Sequence, residues 1–138
     1  MRRQLSRFDI GSLVLIALTT AIGLLLWPRL PAQVAIHFSA DGTPGNFVSR
    51  TAAVVGMPVV MVATGAVLKA AARFDPPENP PAFDGIVCST MALLLFVQLY
   101  TLGTGLGYQI PIAVVIFTTA LWTVFVVGYS IKTEGSRS

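Results

Sequence analysis

A single histidine, His37, stands close in sequence to Ser39, Asp41, Ser49 and Arg50. Histidine changes charge between about pH 5 and 8, so it could serve as a proton acceptor, a pH-responsive contact or a metal ligand. Each of these chemistries needs partners. A zinc site takes three or four N, S or O ligands. This stretch offers only His37 and Asp41, and the one cysteine, Cys88, lies on a distant segment. A hydrolytic triad would recruit Ser39 or Ser49, yet neither serine sits in a nucleophile-elbow pattern. The four-residue separation of His37 and Asp41 suits a turn equally well. These residues predict a contact surface, with no enzyme, no metal and no cofactor. Two readings of His37 stay open: a ligand contact, or a ring that hydrogen-bonds across a hairpin and packs on Phe47.

The elements that must position them follow from alternation. Val34, Ile36 and Phe38 alternate with Ala35 and His37, a period of two that predicts a short strand. Asp41 and Gly42 form a turn dipeptide, and Asn46, Phe47 and Val48 return as a second strand. Ser49 or Thr51 then caps the next helix. The expectation is a hairpin with its apolar side down, Phe38 and Phe47 anchored, and His37 turned to water near Asp41 and Arg50. The candidate ligand-binding residues are His37, Phe38, Asp41, Gly42, Phe47 and Arg50.

Composition decides where such a hairpin sits. Of 138 residues, 54% are hydrophobic and only 11% are charged; a soluble domain carries about 25% charged residues. Mean hydropathy is +0.77. Disorder and a disulfide scaffold are excluded by aliphatic content and by the single cysteine. The net charge of +3 is scattered, with no basic stripe for nucleic acid. Four apolar runs, at 10–27, 52–72, 86–106 and 110–131, approach the ~20 residues that cross a bilayer. Lipid offers backbone groups no partners, so each run must be helical or belong to a closed barrel. A barrel would need alternating ~10-residue segments, which these runs are not, so four helices are expected.

The predicted fold class is an all-α integral membrane protein. A single domain over 1–138 forms a four-transmembrane-helix bundle, with a short extracytoplasmic β-hairpin-like loop between helices 1 and 2. The hairpin loop spans 28–50, and a proline-rich acidic loop spans 73–84 as a solvated spacer. The first run is longer than a signal-peptide core and lacks a small-residue cleavage site, so it is expected to be retained. Lys and Arg number seven on the side of both termini and the 73–84 loop, against Arg29 and Arg50 on the other. By the positive-inside rule both termini are expected in the cytoplasm of a multi-pass cell-membrane protein.

Within the spans the polar candidates are Gln98 and Thr64, with Gln98 turned into the bundle to find a partner. Lys69 is expected to snorkel from a helix end and Asp84 to cap helix three. Ala17 with Ala21, and Ala52 with Gly56, are candidate sites of close helix approach. The central parts of the spans carry no ionisable group, which argues against proton-coupled export.

Leu30-Pro31-x-x-Val34-x-Ile36-His37-Phe38, followed by Gly42-x-Pro44 and a basic residue at Arg50, resembles the signature of the SdpI-like membrane protein family. Gln98 to Leu102 and Gly107-Tyr108 are similar to its third helix and exit turn. Ala35 replaces a usual proline, Gly45 a frequent aspartate, and Arg50 a common lysine. The resemblance implies the four-helix N-terminal half of the larger members. It further implies immunity against a secreted toxic peptide, or capture of a regulator at the membrane. The expected partners are thus the lipid bilayer, an extracytoplasmic peptide, a cytoplasmic regulator and a second copy of the chain. The alternatives are a small dimeric four-helix transporter or channel, or a structural subunit of a membrane complex.

Overall fold

The computed structural model describes residues 5–135, so Arg2, Arg3 and Arg137, which enter the charge count, lie outside the described residues. Four helices are long and apolar enough to cross a membrane: α1 Arg7–Leu26, α2 Arg50–Phe74, α3 Pro80–Gly105 and α4 Ile112–Gly135. Between α1 and α2 lies an antiparallel hairpin, β1 Gln33–Phe38 and β2 Pro44–Ser49.

Three helices begin or extend beyond the apolar runs because their ends are set by polar caps. In α1 the Ser6 Oγ accepts the Asp9 N–H at 3.1 Å, and Asp9 Oδ2 accepts the Ser6 N–H at 3.0 Å, a reciprocal capping box. Ser49 caps α2 by accepting the Ala52 N–H at 3.1 Å. Asn79 caps α3 by accepting the Ala82 N–H at 3.2 Å, and Pro80 and Pro81 occupy the first helical positions, where a missing N–H costs little. The proline-rich spacer therefore shrinks to 75–79. Asp84 does not cap α3; it lies inside the helix and is 2% exposed.

Asp84 instead meets Lys69. The Lys69 ammonium donates to Asp84 Oδ1 and to Asp9 Oδ1, both at 2.6 Å, and lies 5.9 Å from the centroid of the Phe83 ring. Lys69 turns inward to two carboxylates rather than snorkelling outward. One side chain thus ties the start of α1, the end of α2 and the start of α3 at one end of the bundle.

Around α3, the most buried helix, two apolar clusters form the core. Met61, Val87 and Met91 pack towards the Lys69 end, and Leu30, Val54 and Leu102 pack beneath the hairpin. Gln98 is 2% exposed and donates to the Ala53 carbonyl at 2.9 Å, joining α3 to α2. The close helix approach falls at Gly23, where an added Cβ would stand 2.8 Å from Val54. Ala17, Ala21 and Ala52 are exposed, and Gly56 has nothing within 4 Å of a Cβ position. The bundle-facing stripe of α1 runs through Leu15, Thr19, Ile22 and Gly23, a helical spacing that turns both alanines outward. Helix α4 lies alongside α3, with the Trp122 Nε1–H donating to Ser89 Oγ at 3.1 Å.

Candidate functional site

Two concave regions mark the two ends. At the Lys69 end, a groove of about 900 Å³ runs between α1 and α2, walled by Leu13, Ile16, Met61 and Val62. Its walls are mainly apolar helix flanks, and its polar groups at Asp9 and Lys69 are already joined to one another. At the hairpin end, a cleft of about 780 Å³ combines aromatic rings with polar groups. The second is the candidate site.

One wall is the hairpin. Its register pairs Gln33 with Ser49, Val34 with Val48, Ala35 with Phe47, His37 with Gly45 and Phe38 with Pro44. Opposite Ile36 stands Asn46 at φ +51°, a left-handed conformation that asparagine tolerates better than most residues. The predicted apolar face is only partly turned down: Val34 is buried and Phe38 half-buried, but Ile36 is 50% exposed. Ala35, from the other face, is buried. Phe38 is anchored edge-to-face on Tyr100 of α3, with centroids 5.0 Å apart. Phe47 is not anchored; it is 56% exposed and lines the cleft.

The hairpin tip is a tight loop. The Gly42 N–H donates to the Ser39 carbonyl at 2.8 Å, and the Ser39 N–H to the Thr43 carbonyl at 3.0 Å. Asp41 Oδ1 accepts the Thr43 N–H at 2.9 Å, the local bonding that suits aspartate to turns. These bonds to Thr43 favour the charged form and hold the exposed Asp41 carboxyl below its ordinary range.

The opposing wall comes from the end of α3 and the turn into α4. The Tyr108 N–H donates to the Gly103 carbonyl at 3.0 Å and the Gly107 N–H to the Thr104 carbonyl at 3.1 Å, the two bonds of a Schellman ending. Gly107, at φ +99°, supplies the left-handed residue that this ending requires. The turn sets Tyr108, 66% exposed, on the lip of the cleft.

Of the sequence candidates, the cleft gathers Phe38, Asp41, Gly42 and Phe47. His37 is exposed on β1 and Arg50 is half-buried at the start of α2; neither lines the cleft. Thr64 is half-buried on α2, remote from the hairpin in the fold. Tyr100, Thr104 and Tyr108 were missing from the sequence candidates. Their signal was a glycine-rich helix ending flanked by Tyr100 and Tyr108, readable as a turn but not as a wall facing residue 38. Among the described residues no group of three or more His, Cys, Asp or Glu side chains could hold a metal ion.

Residues 14–62 match the model of a domain of unknown function, DUF1648. The match runs from within α1 through the hairpin into α2, so it covers one wall of the cleft and not the other. No curated protein and no solved structure matches the chain. The fold is that of a multi-pass membrane-type protein, and its residues 14–62 are similar to the DUF1648 model.

Proposed function

We propose that the chain is a non-enzymatic membrane binding protein that receives an extracytoplasmic peptide in the hairpin cleft. The observation that carries this reading is the cleft itself. Two independently built walls, the hairpin and the Schellman turn, oppose exposed Phe47 and Tyr108 across a space of about 780 Å³. Exposed aromatic residues around a concave site supply rigid contact area at low entropic cost. The likeness of the 30–50 loop to SdpI-type immunity proteins supports a toxic or signalling peptide as guest, and the 75–79 connection is the candidate contact for a cytoplasmic regulator.

In this reading the hairpin faces outward from the cell membrane, both termini are cytoplasmic, and the exposed apolar face of α4 is the surface open to a second copy. The lysine and arginine asymmetry supports that orientation. A cysteine at Thr43, in a chain with Cys88 replaced by alanine, should react with an impermeant maleimide in intact cells. A cysteine at Asn79 should not. The opposite pattern would reverse the orientation.

Binding is tested by panning a random hexapeptide library against the protein in zwitterionic nanodiscs. Sequences should be enriched over empty nanodiscs, and Tyr108→Ala should abolish the enrichment. No enrichment over empty nanodiscs would refute the binding role.

A second reading, a small dimeric transporter or channel, draws on the groove between α1 and α2. The central parts of the spans carry no ionisable group, so its passage is facilitated and not proton-coupled. Its test is substrate uptake into liposomes containing the protein, with luminal pH unchanged.

A further inference from the structure

We propose that the hairpin cleft selects a cationic side chain, a lysine or arginine of the bound peptide, with Asp41 as counter-ion and Phe47 and Tyr108 as aromatic walls. This inference rests on the binding role given above to the same cleft, and it names the chemistry that the guest must bring.

The argument begins with charge. Among the described residues, Asp41 is the one lining the cleft that is charged at neutral pH; the rest of that lining is apolar, aromatic or neutral polar. The Asp41 carboxylate is solvated, since the residue is exposed. Any guest that fills the cleft removes water from it. A buried ionised carboxylate without compensation is strongly unfavourable, so an all-apolar guest is penalised although the rings would welcome it. An anionic guest adds like-charge repulsion. A cation restores the lost solvation through a charge-assisted hydrogen bond.

The walls favour the same guest. Ring faces carry negative quadrupole density and attract ammonium and guanidinium groups within about 6 Å. Phe47 and Tyr108 are 56% and 66% exposed, large apolar surfaces still free to cover a guest. Phe38 is committed to Tyr100 by its edge-to-face contact and serves as floor. The hydrogen bonds from Thr43 keep the carboxylate oriented and ionised, so no reorganisation is needed when a cation arrives. A metal ion is a poor alternative, because one carboxylate falls short of the six to eight oxygen ligands that calcium takes.

The same hexapeptide panning tests the inference. Peptides enriched by the unaltered protein should carry lysine or arginine at one fixed position. Asp41→Asn, which preserves the shape of the side chain, should reduce that preference and weaken an enriched peptide about fivefold, leaving its apolar positions unchanged. Replacing the basic residue of that peptide with Nε-acetyl-lysine should weaken binding to the unaltered protein by more than that and binding to Asp41→Asn by less, through the rings alone. Enrichment with no basic position, or a basic preference as strong in Asp41→Asn as in the unaltered protein, would overturn this proposal while leaving the binding role standing. No enrichment at all would overturn both.

Discussion

The two ends of the bundle are held by opposite means. At one end, Lys69 joins three helices through two 2.6 Å ion pairs, with Asp84 almost fully buried. At the other, the hairpin rests on the bundle through Val34, Leu30 and the Phe38–Tyr100 contact, and among the described residues no ion pair ties it down. Charges at low dielectric are directional and intolerant of a missing partner. Apolar contacts are non-directional and forgive small displacements. The contrast suits a molecule whose helices keep one arrangement at the clasped end while the hairpin end leaves space for a guest.

The sharpest way to break the contrast is Lys69→Met. It leaves the carboxylates of Asp9 and Asp84 without their shared ammonium. Breaking a buried pair costs about 3–5 kcal/mol, and the lower end applies because the Lys69 side chain is 34% exposed. Thermal unfolding in detergent micelles should show the loss. Adding Asp84→Asn to the same chain should recover part of it by removing a buried charge. An unchanged melting temperature in Lys69→Met would show that the clasp carries no stability.

Phe38→Ala should cost about 1–3 kcal/mol, less than a fully buried phenylalanine because the ring is half-buried. The effect should be local. Hydrogen exchange should quicken at the amides of β1 and β2 while α1, α2 and α3 keep their protection. Global loosening would mean that the hairpin supports the whole bundle. Gln98→Leu removes the amide that donates to the Ala53 carbonyl, and about 0.6–2 kcal/mol is expected from such interhelical bonds. If its melting temperature is unchanged, the α2–α3 contact is sustained by packing alone.

The smallest effect is that of pH at the hairpin tip. The Asp41 carboxyl lies below its ordinary range in the folded chain. Its contribution to the loop is therefore fully present above the ordinary carboxylate range and is lost as pH falls through the depressed folded value. The Thr43 amide resonance, followed in acid titration, should report this, and Asp41→Asn should flatten it. A Thr43 titration unchanged by Asp41→Asn would assign it to another group.

Much of the hairpin end was legible in the sequence, because a turn at Asp41-Gly42, a strand with alternating residues and a Ser49 cap are local devices. What failed there is instructive. Ile36 is exposed and Phe47 unanchored because a two-stranded hairpin has only a narrow face to bury, and Asn46 distorts its pairing opposite Ile36. The clasp was missed for a different reason. Lys69 and Asp9 are sixty positions apart, and an apolar-run reading assigns each ionisable group to the nearest interface instead of to another helix.

The sequence alone determined the class of molecule, four spanning helices with one hairpin. Backbone satisfaction in lipid depends on local hydropathy and length, which are written residue by residue along the chain. Only the tertiary structure decided which stripe of each helix is buried, that Lys69 turns inward, and that the turn after α3 stands opposite the hairpin to make a cleft. Those outcomes depend on how helices of nearly uniform hydrophobicity rotate against one another. Close packing settles that rotation through contacts such as Gly23 against Val54, which no one-dimensional pattern encodes.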